Sequence, residues 1–342
     1  MITIDGRHGE GGGQILRTSL ALSLVTGQPF EIHHIRGRRR KSGLLRQHLT
    51  CVRAAQAVGQ AEVRGASLGS HELVFEPGAC TSGKHHFVVG SAGSTSLVLQ
   101  SVLPALFVTH GQSELRVEGG THAMSAPPFH FLDASYLSAV RHMGAEVSAW
   151  MSRPGFFPAG GGDVKVAVAG SQLKPVDLCE RGDLGRVTVH AWSVGLPRRI
   201  AKEEATRIAE ALGVHQKDVH INVLRKSRGP GNVVWIEAET TASGHALTTC
   251  FTGFGRRGAP AEQVADEALA AFVRWRDSQA PVCEHLADQL LVPMALARGG
   301  RFVTGPLSLH ARTNIDTIQR FLPQVRIHTE VLVDGNVRVS VG

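Results

Sequence analysis

Among eighteen histidines any one imidazole is an ordinary structural residue by default, and His310 is set apart by its context. Leu307 to Leu309 reads as a strand, and Ala311-Arg312-Thr313-Asn314 leads into the next helix. The ring is therefore expected at a strand–helix junction, where reactive groups on layered α/β scaffolds commonly sit. An imidazole with a pKa of ~6.5 is mostly neutral at neutral pH and attacks phosphorus without a separate base. Two neighbourhoods could serve such a nucleophile. The run Gly9-Glu10-Gly11-Gly12-Gly13-Gln14 follows a short strand and opens a helix, leaving backbone amides free for an anion. Arg17, one helical turn beyond Gln14, would face the same anion, although a tight strand-to-helix turn alone also accounts for the glycines. His285-Leu286-Ala287-Asp288-Gln289 starts another helix. Asp288 and Gln289 suit a ribose or base edge, and Asp288 equally suits helix capping.

The Gly-rich turn is neither a Walker loop, since no Gly-Lys-Ser/Thr follows, nor a dinucleotide fingerprint, since Gln14 stands at the third glycine. Gly90-Ser91-Ala92-Gly93-Ser94-Thr95 reads as its second copy, with Gln100 as the lone polar residue of an apolar helix. A polar side chain there bonds either a ligand or neighbouring backbone. No HExxH, His/Cys cluster or Gly-x-Ser-x-Gly elbow occurs. A divalent cation carried by a nucleotide needs only one or two carboxylates, so such an ion stays open.

The elements that must position these residues repeat. Gly27 and Gly111 stand 84 residues apart, and Ala61-Glu62-Val63 recurs as Ala145-Glu146-Val147 at the same offset. Each unit reads as Gly-rich turn, apolar helix, strand, second helix and further strands, with Leu44 to Val58 and Phe131 to Met143 as the second helices. A third copy begins near His285. Its helices read as Leu286 to Ala297 and Asn314 to Leu322, its strands as Val325 to Thr329 and Val337 to Val341. Between copies two and three, strands at Val187 to Val194, Val219 to Leu224, Val233 to Thr240 and Ala246 to Gly253 join helices at Lys202 to Leu212 and Glu262 to Arg276. The expected fold is α+β: three repeated helix-plus-β-sheet units forming a core domain, with a smaller α+β domain inserted in the third. The boundaries read as 1–180 and 279–342 for the core (repeats about 1–84, 85–180 and 279–342) and 181–278 for the insert. The loop Arg225 to Asn232 reads as a plain turn.

At 342 residues two compact units are expected. The run from Leu97 to Val108 is too short to span a membrane and contains Pro104, and Met1 to Glu10 lacks a secretory apolar core, so the expected location is the cytoplasm. Five dispersed cysteines fit reduced thiols. The formal charge of +7, with Arg36, Arg38, Arg39, Arg40, Lys41 and Arg46 clustered, suits a polyanion or a solvated basic loop. One tyrosine argues against a single-strand binder built mainly on stacking.

Taken together, Gly9 to Arg17, Gly43 to Leu49, Ser125-Ala126-Pro127-Pro128, His285 to Gln289, and His310 with Thr313-Asn314 resemble the RNA 3′-terminal phosphate cyclase family nearly end to end. The resemblance implies ATP as substrate, Mg or Mn as its cation and an RNA 3′-phosphate end as acceptor. It also implies an adenylate on His310 and a 2′,3′-cyclic product. By resemblance Glu10 is a metal or ribose contact, and Arg17, Arg36 and Arg39 bind RNA phosphate, with Gln14 and Gln47 as further candidates. Gln100, Pro127 and His285, Leu286, Ala287, Asp288 and Gln289 would line the nucleotide pocket. His285 stands where the family carries Tyr, and His8 replaces an amide side chain. Three competing expectations are a non-enzymatic ribosome-assembly relative, against which His310 speaks, an enolpyruvyl transferase, against which the arginine cluster speaks, and a general RNA-binding module, which accounts for the basicity but not for the third-repeat motifs. Nothing marks an obligate protein partner or a membrane.

Overall fold

The computed structural model describes residues 1–342 and holds four four-stranded sheets. The first sheet comprises β1 (Ile2–Asp5), β2 (Phe30–His33), β3 (Glu62–Arg64) and β4 (Leu73–Glu76), in the order β1-β2-β4-β3. The second comprises β5 (Lys84–Val88), β6 (Gln112–Gly119), β7 (Glu146–Arg153) and β8 (Gly162–Ala169), in the order β5-β6-β8-β7. A two-residue β9 (Asp177–Leu178) precedes β10 (Leu184–Val194), β11 (Val219–Leu224), β12 (Gly231–Ala242) and β13 (His245–Phe254), which form the order β11-β10-β12-β13. The last sheet joins β9 to β14 (Gly300–Thr304), β15 (Ile327–Val331) and β16 (Val337–Val341), in the order β15-β16-β14-β9.

All four sheets hold a parallel pair followed by two antiparallel neighbours, but three of them run first-second-fourth-third in chain order and the β10–β13 sheet runs second-first-third-fourth. In those three the parallel pairs are β1 with β2, β5 with β6, and β9 with β14. Because β9 comes before residue 181 and β14 after residue 278, the last sheet is assembled from both sides of the intervening segment. A parallel pair needs a crossover, and α1 (Gln14–Thr26) supplies it between β1 and β2. In the second sheet α3 (Thr95–Gln100) and α4 (Leu103–Val108) do the same.

The other helices are α2 (Arg46–Gly59), α5 (Ser138–His142), α6 (Arg198–Leu212), α7 (Ala261–Ser278), α8 (Glu284–Leu296) and α9 (Leu309–Phe321). A π-helical stretch, Phe131–Leu137, runs directly into α5, where the sequence reads one continuous helix. None is long and apolar enough to cross a membrane.

α1 is central because it is apolar nearly all round. Ile15, Leu16, Leu20, Leu22 and Leu24 are buried, and the helix packs against α2, α4 and α9. It stops at Gly27, whose left-handed backbone (φ 67°) lets its N–H bond Ser23 O at 2.9 Å.

One local expectation fails. Leu307 to Leu309 is not a strand: Ser308 caps α9, its Oγ accepting from Ala311 N–H at 3.1 Å, and Leu309 is already helical. His310 thus sits in the first turn of α9. A three-residue Leu-Ser-Leu stretch is too short for a period that separates strand from helix, and the cap decides.

Candidate active site

α1, α8 and α9 meet around a cavity of about 530 Å³ beside His310. The α9 face carrying Thr313, Asn314 and Thr317 is buried, as helical spacing requires. Thr313 Oγ1 accepts from Glu10 N–H (3.0 Å), tying the Gly-rich turn to α9 one turn beyond His310. Asn314 Oδ1 accepts from the Thr18 hydroxyl (2.7 Å) and Asn314 Nδ2 donates to Asp288 O (2.7 Å), joining α1, α8 and α9.

Across this frame runs a file of three side chains. Gln14 Nε2 donates to Asp288 Oδ2 at 2.9 Å, and Gln14 Oε1 lies 2.6 Å from His310 Nδ1. With the amide nitrogen committed to the carboxylate, its oxygen must accept, so Nδ1 carries the proton and Nε2 keeps its lone pair. Nε2 is 4.0 Å from Glu10 Oε1, at the turn. Burial lowers the His310 pKa, with Arg17, Arg39 and His285 pushing the same way. Such an imidazole is the free base at neutral pH.

The Gly-rich turn is packed rather than loose. Glu10 Oε2 accepts from Gly12 N–H (2.7 Å) and Oε1 pairs with Arg39. Arg38 lies across Gly11, which has φ 64° and no room for a Cβ, and donates to Gly9 O at 2.9 Å.

Behind the turn positive charge accumulates. Arg17 is desolvated, which lowers its pKa, and its Nε is buried with no hydrogen-bond partner. Burial, Arg17 and Arg36 together push His48 down to about 3, so it is neutral. An unpaired guanidinium facing the cavity beside a lone-pair imidazole suits an incoming anion.

The structure gathers Gln14, Arg17, Gln100, Pro127, His285, Asp288, Gln289 and His310 on the cavity wall. Gln289 Nε2 donates to His285 O (2.8 Å), and its Oε1 is buried without a partner. Leu286 and Ala287 lie buried in α8 and do not line the cavity. Nor do Glu10, Arg36, Arg39 or Gln47. Arg36 donates to Lys41 O (2.6 Å) and Gly43 O (3.1 Å), Arg39 pairs with Glu10, and Gln47 Oε1 accepts from Ser94 N–H (2.6 Å). These side chains hold the loops that border the site. His8, the other departure, bonds Asp316 of α9 at 2.7 Å.

Sequence reasoning gave no role to Thr18, Thr313 or Asn314, though polar residues three and four positions beyond His310 on a buried face were a visible signal. It also missed Phe251, Arg274 and Trp275, which reach the cavity from β13 and α7. Nothing in their spacing points there.

No group of three or more His, Cys, Asp or Glu side chains is arranged to hold a metal ion. Glu10 is the carboxylate nearest the imidazole among those paired with it, and one carboxylate fits an ion brought by a polyphosphate rather than a protein cage.

A family model described as RNA 3′-terminal phosphate cyclase matches residues 8–327. A Koribacter versatilis protein named RNA 3′-terminal phosphate cyclase is 47% identical over 324 residues, covering 94% of this chain and 90% of its own. A Pseudomonas fluorescens protein of the same name is 44% identical over 340 residues, covering 99% and 97%.

Proposed function

The chain belongs to the RNA 3′-terminal phosphate cyclase family, and from that premise we propose that it converts an RNA 3′-phosphate to a 2′,3′-cyclic phosphate with ATP, through an adenylate on His310 Nε2. The observation that carries the mechanism is the His310–Gln14–Asp288 file, which leaves Nε2 as the unprotonated ring nitrogen.

In the first step Nε2 attacks the α-phosphorus of ATP, the N–P bond forms and pyrophosphate leaves. Gln14 Oε1 holds the Nδ1 proton, and so stabilises the imidazolium-like adduct as charge develops. In the second, an oxygen of the RNA 3′-phosphate attacks the same phosphorus and the N–P bond breaks, returning the lone pair to Nε2. The third forms the ring: the ribose 2′-oxygen attacks the activated 3′-phosphorus, its proton is lost and AMP departs.

Three phosphoryl transfers demand fixed cations more than acid–base groups, and Arg17 is the deepest of them here. In this reading Arg17 meets phosphate directly, whereas Arg36, Arg39 and Gln47 act by shaping the turns around it. Gln100, Pro127, His285, Asp288 and Gln289 line the nucleotide's place, the unpaired Gln289 Oε1 accepting from a donor on base or ribose. A divalent cation, Mg or Mn, would be held by the triphosphate and Glu10 and would offset charge on the leaving pyrophosphate.

The same reading divides the chain into a core at 1–180 and 279–342, in three repeats, and an insert at 181–278. Three sheets of one strand order and one of another support it. The protein works in the cytoplasm, in keeping with five unpaired cysteines.

The test is incubation with α-labelled ATP and a divalent cation, without RNA, beside His310→Ala. Acid-labile label on wild type and none on the variant is expected. A folded, ATP-binding wild type that takes no label would sink the covalent route.

A further inference from the structure

Phe157 stands 80% exposed at the tip of the loop between β7 and β8. Single exposed apolar residues are common, so the ring matters only for what surrounds it. Its loop is tightly held. Phe156, next to it, is buried and bridged to His122, and Gly160 N–H bonds Phe156 O at 2.7 Å. Gly160, with φ 62°, sits against Ser91 so closely that a Cβ would collide with it. On the other side Ser227 Oγ donates to Pro154 O (3.3 Å), so the Arg225 to Asn232 turn docks against this loop. The ring is therefore presented on a fixed support.

Its neighbours are cations. Arg225, Lys226 and Arg228 are exposed on the docked turn. Glu118, the carboxylate Arg228 approaches (3.9 Å), is already shared with His86, Arg116 and Arg153. On the far side, exposed Arg46 heads α2, its guanidinium reaching Gly90 beside Ser91.

The patch also joins the active site. Thr121 and His122 N–H both bond Gly155 O (2.9 and 3.2 Å), and the same segment of chain continues past Met124, 56% exposed, to Pro127 on the cavity wall. From His122 to Pro127 the chain spans at most ~18 Å.

We propose that Phe157 is a stacking platform for a base of the RNA strand a few nucleotides before its 3′-phosphate, with Arg225, Lys226 and Arg228 on the adjoining phosphates. This rests on the cyclase reading. A flat aromatic face accepts any base, and the flanking cations match a polyanion. A second copy of the chain is a poorer occupant, because the same cations would meet their own kind.

The test uses full-length protein and 3′-phosphorylated oligoribonucleotides of about two and about ten nucleotides, bracketing usual single-strand site sizes. Binding is read by fluorescence anisotropy and turnover by cyclisation with ATP. Phe157→Ala is expected to weaken the longer oligomer about tenfold. It should leave the shorter oligomer, RNA-free adenylylation and the melting temperature unchanged. Phe157→Trp should restore long-oligomer binding and Phe157→Leu should not, which separates stacking from packing. Replacing Arg225 and Lys226 by Ala should flatten the logarithmic salt slope by about 1.4. Equal affinity of wild type and Phe157→Ala for the longer oligomer would overturn the platform. A wild type that cyclises neither oligomer would overturn the cyclase reading instead, while the binding titration still decides on Phe157.

Discussion

Gln14 decides which nitrogen of His310 keeps its lone pair, and Asp288 decides which way Gln14 faces. Burial pushes the Asp288 carboxyl up to about 7, with Glu284 adding to the rise and Arg17 and Gln14 opposing it. Above that pH the carboxylate accepts from the Gln14 amide and Nε2 stays free. Below it the carboxyl gains an O–H that competes for the Gln14 oxygen, and Gln14 answers it by turning that oxygen away from His310. The amide then offers N–H to Nδ1, and Nε2 takes the ring proton. Adenylylation should therefore lose rate as pH falls through about 7, above the range where His310, its own pKa lowered, becomes charged. In Asp288→Asn, whose amide oxygen accepts at any pH, this acid limb should move down. A pH–rate profile unchanged by the substitution would detach Asp288 from the nucleophile. At this scale the sequence exposed the participants, since His310, Gln14 and Asp288 were all singled out. Their connection was hidden because it joins residues 296 positions apart.

α9 owes its start to Ser308, and with it the direction of His310. Ser308→Ala removes the oxygen that accepts from Ala311 N–H and should cost about 1 kcal/mol, measured by urea denaturation. Adenylylation should fall as well, because the first turn would fray around the nucleophile. Long periodic elements were legible from pattern: Val219 to Leu224 and Val337 to Val341 lie where alternation put them. Elements settled by a single hydrogen bond were not, as the Leu307 to Leu309 stretch shows. Likewise nothing in Phe131 to Met143 announces that its first turns are π-helical, since an added residue per turn shifts side chains without changing their types.

At the scale of the molecule, a stack of rings fastens the β10–β13 sheet to the second. His130 and His190 both lie parallel to Trp235, at centroid distances of 3.8 and 4.7 Å, and His122 packs on Phe156 at 5.2 Å. Burial pushes His122 down to about 3, below the ordinary value of 6.5 that it regains on unfolding. The unfolded chain therefore binds the extra proton first, and stability is lost as pH falls below that ordinary value. The loss should be about 1.4 kcal/mol per pH unit for each such histidine. His122→Phe, which keeps the ring and removes the proton site, should make urea midpoints at neutral pH and at about pH 5 more alike. The 84-residue offset pairs the corresponding turns before β2 and β6, in two sheets of one strand order. The docking of the β10–β13 sheet was not legible, since contacts between distant segments leave no period in the sequence. That docking also makes Phe251, Arg274 and Trp275 part of the wall facing α1 and α8. A nucleotide seated there would have two landlords, α1 with α8 on one side and β13 with α7 on the other. It would serve as a rivet as much as a reactant, fastening the two halves while it is spent and loosening them once AMP leaves.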